Sequence, residues 1–232
     1  MRKNKGKPII EHSWKPMNFE EGMSKHHLAL FGMVSLAWND LEGALDTALG
    51  LSLELPEPMW VEVTSRINGI DGKCSLLKQC AKIVHQMPEK HLEAIADTLG
   101  SAMEHKKYRD AIIHAKILDP DSPTAPTNER KGNVGEVVVT EEALNSLFRR
   151  LGWIRAEMDV VVSLFDTLRI CADRKNVEHS EDEKQSALKE LRACIPRLLD
   201  RQRQRKALPP LPRVPAEPPV PPNSEGPVSP PG

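Results

Sequence analysis

Apolar side chains recur at alternating intervals of three and four residues along two long parts of the chain. One part covers about residues 23–53 and the other about residues 140–172. Such spacing places a single apolar stripe along one face of an α-helix. The stripes consist of Phe31, Val34, Trp38, Leu41, Leu45 and Ala48 in the first part, and Leu144, Leu147, Leu151, Ile154, Met158, Val161, Phe165 and Leu168 in the second. We expect two long helices that pack antiparallel to one another in a bundle, with Trp38 in its core.

Proline and glycine positions divide the rest of the chain into shorter predicted helices. Pro56 ends the first long helix, and the two helical pieces that follow break near Gly69. Pro88 opens a helix in the middle of the chain. Ser180 and Glu183 have the spacing of a capping box at the start of a last helix. The predicted fold class is therefore all-α.

A loop rich in proline and small polar residues separates the middle helix from the second long one. Residues 115–118 and 136–140 flank this loop and have the alternation of short strands. We expect these two segments to pair, which would add a small β-hairpin-like insert to the helical bundle.

Composition divides the chain into three regions. Residues 1–22 form a basic arm, residues 23–206 the helical domain, and residues 207–232 hold 11 of the 20 prolines. A segment with so few apolar side chains is predicted to be a disordered tail. Its string from Pro209 to Pro215 resembles the ligands of proline-binding domains, which would give the tail a protein partner, although linkers have the same composition.

Charge and cysteine content limit the classes of function. A net charge of −1 over 232 residues argues against a protein that coats nucleic acid through bulk charge, so RNA contact would require a local basic cluster. The four cysteines include no Cys-x2-Cys pair, which favours reduced thiols in the core of a cytoplasmic protein. No phosphate-binding glycine-rich loop and no set of side chains at metal-ligand spacing occur, so we expect neither a cofactor nor a metal.

The chain contains no apolar run of the length that a membrane span requires, and its first residues lack the apolar segment of a signal peptide. We therefore expect a cytoplasmic protein without a membrane partner.

The middle helix contains the sequence Arg109-Asp-Ala-Ile-Ile-His114. On a helix, Asp110 and His114 are an i,i+4 pair, so the carboxylate can orient the imidazole, whereas Arg109 points to another face beside Lys106. An oriented histidine and a guanidinium are suited to work on a phosphodiester, and they also occur at ordinary solvated helix ends. If the apolar stripe of this helix is extrapolated without a break, it puts Asp110 and His114 on the inner face. Either the helix then bends near residues 104–107, or the two polar groups face a partner surface; the third alternative is that Asp110 satisfies His114 at a buried helix end.

This motif resembles the Arg-x4-His signature of the HEPN superfamily, and the order of helices around it over residues 25–172 is similar to bacterial HEPN-like proteins. The resemblance implies a metal-independent endoribonuclease of a defence or toxin–antitoxin system, acting as a homodimer. It implies catalytic roles for Arg109, Asp110 and His114. The neighbouring lysines that would bind RNA are Lys106, Lys107 and Lys116.

Two further patterns qualify the resemblance. A second match, Arg174 to His179, lies in a polar interval between helices and is not expected to act. One toxin branch has a tyrosine two residues after the histidine, where this chain has Lys116, so the regulation of that branch does not extend to this chain. The alternative function is a non-catalytic helical protein that dimerises or binds another protein, and the composition fits it equally well.

Near the end of the last predicted helix lies a basic run, which we expect to be exposed. It consists of Arg197, Arg201, Arg203, Arg205 and Lys206. Such a run suits either phosphate binding or a solvated helix end.

Overall fold

The computed structural model describes five parts of the chain, namely residues 24–67, 69–113, 124–126, 136–172 and 180–212. The predicted basic arm, residues 1–22, lies outside them. Six α-helices form the described fold, which confirms the all-α class. They are α1 (Lys25–Ser52), α2 (Glu57–Ser65), α3 (Gly69–Gln79), α4 (Glu89–Ile113), α5 (Glu141–Ala172) and α6 (Glu181–Lys206). A π-helical turn, Cys80–Val84, continues α3.

The ends of the helices follow local sequence signals. Ser24 caps α1 by accepting a hydrogen bond from the backbone N–H of His27 at 3.1 Å. The predicted capping box at α6 is present: Ser180 accepts from the N–H of Glu183, whose carboxylate accepts in turn from the N–H of Ser180 at 2.7 Å. Both caps satisfy backbone donors that have no partner inside the helix.

The two long helices α1 and α5 run in the same direction, so the predicted antiparallel packing is wrong. Their first residues are neighbours, because the His27 ring lies 3.5 Å from the Glu141 carboxylate. At the other end, His85 joins them: its Nε2 is 2.9 Å from the carbonyl oxygen of Ser52, and its ring is 5.2 Å from that of Phe165. The reason is that α4 lies between α1 and α5 in the sequence and runs opposite to both. The chain therefore reverses its direction once before α4 and once after it.

Helices α4 and α6 run opposite to α1 and α5, so the described bundle has four long helices rather than the two predicted. Ser163 of α5 contacts Glu190 of α6 at 3.1 Å, while Arg201 donates to the carbonyl oxygen of Ala156. Residue numbers therefore rise along α5 as they fall along α6, which means that these two helices are antiparallel.

Buried apolar side chains fill the space between the helices and confirm most of both predicted stripes. Trp38 is only 1% exposed, and Phe165 is fully buried. Burial of one large apolar side chain contributes about 1.5–3 kcal/mol relative to exposure. The same stripes place Leu41 and Leu45 of α1 in one core cluster with Leu147 and Leu151 of α5. The α1–α5 interface is accordingly the main core of the described bundle.

A short strand pair lies between α4 and α5. Strand β1 (Thr124–Pro126) pairs antiparallel with β2 (Glu136–Val138), with Thr124 opposite Val138. The predicted insert is wrong in its extent and its first strand: only three residues pair on each side, and β1 begins after the predicted segment 115–118, which lies outside the described residues. Ala125 and Pro126 of β1 carry little strand propensity, so the sequence pattern did not indicate this strand.

The described chain continues past α6 as an ordered segment, residues 207–212. Tyr108 Oη donates to the carbonyl oxygen of Pro212 at 2.7 Å, and Arg150 Nη2 donates to that of Leu208 at 3.1 Å. The predicted tail therefore begins at least six residues later than residue 207. Residues 213–232 lie outside the described residues, and their disorder stays a prediction.

None of the described helices combines the length and the apolar character that crossing a bilayer requires.

Candidate functional site

Helix α4 positions the predicted motif and stays α-helical through residues 104–107 to Ile113. Its buried face continues from Leu99 through Ala102 and His105 to Ile112. Arg109 lies between His105 and Ile112 at helical spacing, so it is on the inner side of α4 and faces α1. The extrapolation that put Asp110 on the inner face is wrong: the buried stripe at the end of α4 is one residue out of register with the extrapolated one, so Arg109 lies on the inner side instead.

The Arg109 guanidinium stacks on the indole ring of Trp38. Its Cζ is 4.6 Å from the ring centroid, and the Arg109 side chain is 22% exposed. A cation over an indole face contributes about 0.5–1 kcal/mol at exposed sites and about 2 kcal/mol when water is excluded. The contact fixes the direction of a long side chain that is not completely buried.

Asp110 forms an ion pair with its neighbour Arg109. The distance from Arg109 Nη1 to Asp110 Oδ1 is 2.7 Å, and 36% of the Asp110 side chain is exposed. His114 lies outside the described residues, so its predicted orientation by Asp110 stays a prediction. The structure thus brings together two of the three motif residues and adds Trp38, which the sequence predicted only as a core residue.

The predicted RNA-binding lysines are not equivalent. Lys106 Nζ lies 2.7 Å from Asp71 Oδ2 of α3, so this ammonium already has a counterion. Lys107 is exposed. Lys116 lies outside the described residues. Because the Lys106 pair joins α3 to α4, an interaction with RNA would have to compete with it.

A buried polar network crosses the other side of α4. Arg205 of α6 donates from Nε to Glu157 of α5 at 2.6 Å and from Nη2 to Asp97 of α4 at 2.8 Å. Thr98 donates to the second Glu157 oxygen at 2.9 Å and accepts from Gln202 at the same distance. Three helices are therefore joined by charge-assisted hydrogen bonds inside the bundle.

The expectation that the whole basic run of α6 is exposed is wrong at Arg205, which is 6% exposed. Burial raises the pKa of Glu157, and the hydrogen bond and charge of Arg205 partly offset this rise. Removal of one partner from such a pair is costly because it leaves the other charge buried and unpaired.

One sequence signal for this network exists at Glu157, which lies inside the apolar stripe between Ile154 and Val161. A carboxylate at a stripe position requires a buried donor. The sequence does not reveal which of the arginines in α6 supplies it, since this depends on how α6 is rotated about its axis.

The cysteines carry no sign of a functional site. All four are free thiols, and three of them, Cys74, Cys80 and Cys194, are buried. Burial raises the pKa of Cys74 to about 11, so this thiol stays protonated at neutral pH. Within the described residues, no cluster of three or more histidine, cysteine and acidic side chains is placed to hold a metal ion.

No protein-family model matches the chain, and no similar protein was found among curated proteins or solved structures.

Proposed function

We propose that this protein is a HEPN-type, metal-independent endoribonuclease with its site at the end of α4, in a defence or toxin–antitoxin setting. The proposal rests on the motif from Arg109 to His114 and on one observation, the stacking of Arg109 on Trp38. A catalytic guanidinium must be oriented and still reach solvent. The restraint of Arg109 by the indole ring supports the first requirement, and a side chain that is 22% exposed rather than fully buried supports the second.

In the proposed reaction, His114 exchanges protons with the RNA 2′-hydroxyl, which attacks the adjacent phosphate. Arg109 stabilises the charge that develops on the phosphate oxygens. The bond to the 5′-oxygen of the next nucleotide breaks, and the products are a 2′,3′-cyclic phosphate and a 5′-hydroxyl. Asp110 holds the Arg109 guanidinium at 2.7 Å and, when it also contacts His114, stabilises the imidazolium.

A second copy of the chain would complete this site. The first half of α1 exposes Met33 and Leu36, which lie on one helical face and are 38% and 65% exposed. Ile113, at the end of α4, is 39% exposed. Ile113 follows Arg109 by one helical turn on the same face of α4, so a homodimer whose interface includes Ile113 would bring two motifs near one another.

The second candidate function is a non-catalytic helical protein that dimerises or binds a protein partner. The same exposed apolar residues support it, and it does not require His114. Oligomerisation does not distinguish the two functions. Cleavage of RNA does, because only the first function includes it.

Product chemistry tests the proposal. The purified protein is incubated in chelator with a single-stranded RNA and with the same RNA carrying 2′-O-methyl groups throughout. We expect cleavage of the first RNA only, with 2′,3′-cyclic phosphate ends, because the methylated RNA lacks the attacking hydroxyl. Cleavage of both RNAs would exclude the proposed reaction. If neither RNA is cleaved, the non-catalytic function is favoured.

A further inference from the structure

A cavity of about 320 Å³ lies between α4, α5 and the residues that follow α6. Its wall includes His105 and Tyr108 of α4, Arg150 of α5, and Pro210 and Leu211 of the ordered segment after α6. The volume is within the range of small-molecule sites and corresponds to roughly ten times the share of one water molecule in the liquid. The cavity is separate from the proposed cleavage site, since Arg109 does not line it.

His105 lines this cavity and has an unsatisfied polar atom. Its side chain is buried, with only 4% of the residue exposed. Nδ1 lies 2.8 Å from the carbonyl oxygen of Ser101, and because a carbonyl only accepts, Nδ1 carries the hydrogen. Nε2 is buried and has no hydrogen-bond partner in the described part of the chain. It is therefore an acceptor in the neutral ring and a donor in the protonated one.

Arg150 brings an unsatisfied donor. Its Nη2 donates to the carbonyl oxygens of Leu208 and Pro209, but its Nε is buried and has no partner among the described residues. No carboxylate within the described ranges forms an ion pair with this guanidinium. Burial lowers the pKa of Arg150, with Glu104 opposing and Arg205 reinforcing that effect. The Glu104 carboxylate thus favours the charge of Arg150 without forming a direct ion pair with it.

We propose that this cavity binds a small oxyanion, namely the phosphate or carboxylate group of an organic molecule. Binding shifts the side chains of Arg150 and His105 so that their two buried nitrogens face the ligand. One oxygen of the group then accepts from Arg150 Nε and pairs with its positive charge. A second oxygen accepts from Nε2 of the protonated His105. Pro210 and Leu211 offer apolar surface to the organic part of the ligand.

Proton uptake accompanies binding in this arrangement. Burial lowers the pKa of His105, and the charges of Arg150 and Arg205 lower it further, whereas the Ser101 carbonyl and Glu104 raise it. Lys206 of α6 and Tyr108 of α4 also line the cavity. A bound anion offsets the two arginine charges and favours the imidazolium. Affinity is therefore expected to rise as pH falls below the ordinary histidine value of 6.5.

The segment after α6 belongs to this site because it forms one wall of the cavity. Arg150 binds its carbonyl oxygens at Leu208 and Pro209, and Tyr108 Oη binds that of Pro212 at 2.7 Å. These bonds fix Pro210 and Leu211 over the cavity. The first residues of the proline-rich region thus serve to enclose a ligand.

Calorimetric titration of the full chain tests the proposal. The ligands are sodium phosphate, phenyl phosphate and benzoate, against a constant chloride background, at about pH 6 and about pH 8. We expect saturable binding of at least one of them, with higher affinity and proton uptake at the lower pH. Comparison of the two phosphates with benzoate distinguishes a phosphate from a carboxylate site. Absence of saturable binding, or binding that does not change with pH, would overturn the proposal.

Three variants localise the site. Arg150→Lys keeps the charge but loses Nε, and His105→Asn keeps a donor for the Ser101 carbonyl but loses Nε2; each is expected to weaken binding at least about tenfold. Arg149→Lys, at the exposed neighbouring arginine, is the matched control and should leave affinity unchanged.

Glu104→Gln is expected to tighten binding, because it removes a negative charge from the exposed rim of the cavity. This variant keeps the test decisive even where the buried substitutions perturb folding. Equal weakening by Arg149→Lys and Arg150→Lys, or an unchanged or lower affinity of Glu104→Gln, would contradict the proposed site. RNA cleavage does not enter this test, so the two proposals can fail independently.

Discussion

The guanidinium of Arg109 lies over the indole ring of Trp38, with its Cζ 4.6 Å from the ring centroid. This contact links the last part of α4, where the motif lies, to the middle of α1. It gives the motif arginine a defined direction without burying it completely. The proposed cleavage reaction depends on that direction.

A double-mutant cycle measures this contact. Trp38→Leu keeps an apolar side chain in the core, and Arg109→Gln keeps a long polar one. We expect a coupling free energy of unfolding of about 0.5–1 kcal/mol between the two positions, because the Arg109 side chain is not completely buried. Chemical denaturation of the four proteins gives this value. Strict additivity of the two single changes would show that the stacking contributes nothing to stability.

Arg205 of α6 is predicted to be far more important for stability than Arg203. Arg205→Gln leaves Glu157 buried without its cation, and such a loss typically costs about 3–5 kcal/mol of unfolding free energy. Arg203→Gln breaks only an exposed pair with Asp200, where about 0–1 kcal/mol is expected. Denaturant titration of both variants compares them. Similar stabilities would contradict the buried network.

His105 is predicted to make the protein less stable in mild acid. Burial lowers the pKa of His105 in the folded state below its ordinary value of 6.5, so the unfolded chain binds a proton more readily. The resulting loss of unfolding free energy is absent well above pH 6.5. It grows as the pH falls through that value toward the pKa of His105 in the folded state. Relative to wild type, His105→Asn should therefore lose less stability on acidification.

Thermal unfolding of the two proteins across this pH range checks the effect, with His26→Asn, at a largely exposed histidine, as the control. A wild type and a His105→Asn variant with parallel pH profiles would show that His105 does not titrate differently on folding.

Met33 and Leu36 are predicted to form part of a homodimer interface. Leu36→Lys places a charge in the centre of the exposed apolar face of α1 and should convert the dimer to a monomer at micromolar concentration. The control is Ile83→Lys, since Ile83 is 69% exposed in the π-helical turn, away from this face. Analytical ultracentrifugation distinguishes the outcomes. A wild-type monomer, or an unchanged Leu36→Lys dimer, would exclude this interface.

The sequence pattern predicted the helices well because local rules determine them. The three-and-four spacing of α1 and α5 and the capping box at Ser180 indicated where helices form and which faces are buried. The pattern did not determine helix direction. The relative direction of α1 and α5 depends on α4, which lies between them in the sequence and runs opposite to both. The segments that join α4 to the two helices carry no periodic signal.

Only part of the candidate site could be predicted from the sequence. The motif spacing identified Arg109 and Asp110, but the stacking on Trp38 depends on the rotation of α4 about its axis, which a one-residue error in the apolar stripe changes by about 100°. The cavity beside His105 is harder still to foresee. Its walls come from α4, α5 and the segment after α6, which are distant in sequence.

The most direct test of the proposed ribonuclease compares the two histidines that follow an arginine at the same spacing. In chelator, with single-stranded RNA, His114→Ala and Arg109→Ala are each expected to lower the cleavage rate by about 10²–10⁴, because they remove the proton-transfer group and the countercharge of the phosphate. Asp110→Asn should have a smaller effect, and His179→Ala should cleave like wild type. Absence of cleavage by wild type, or equal loss in His114→Ala and His179→Ala, would contradict the assignment of the site to residues 109–114.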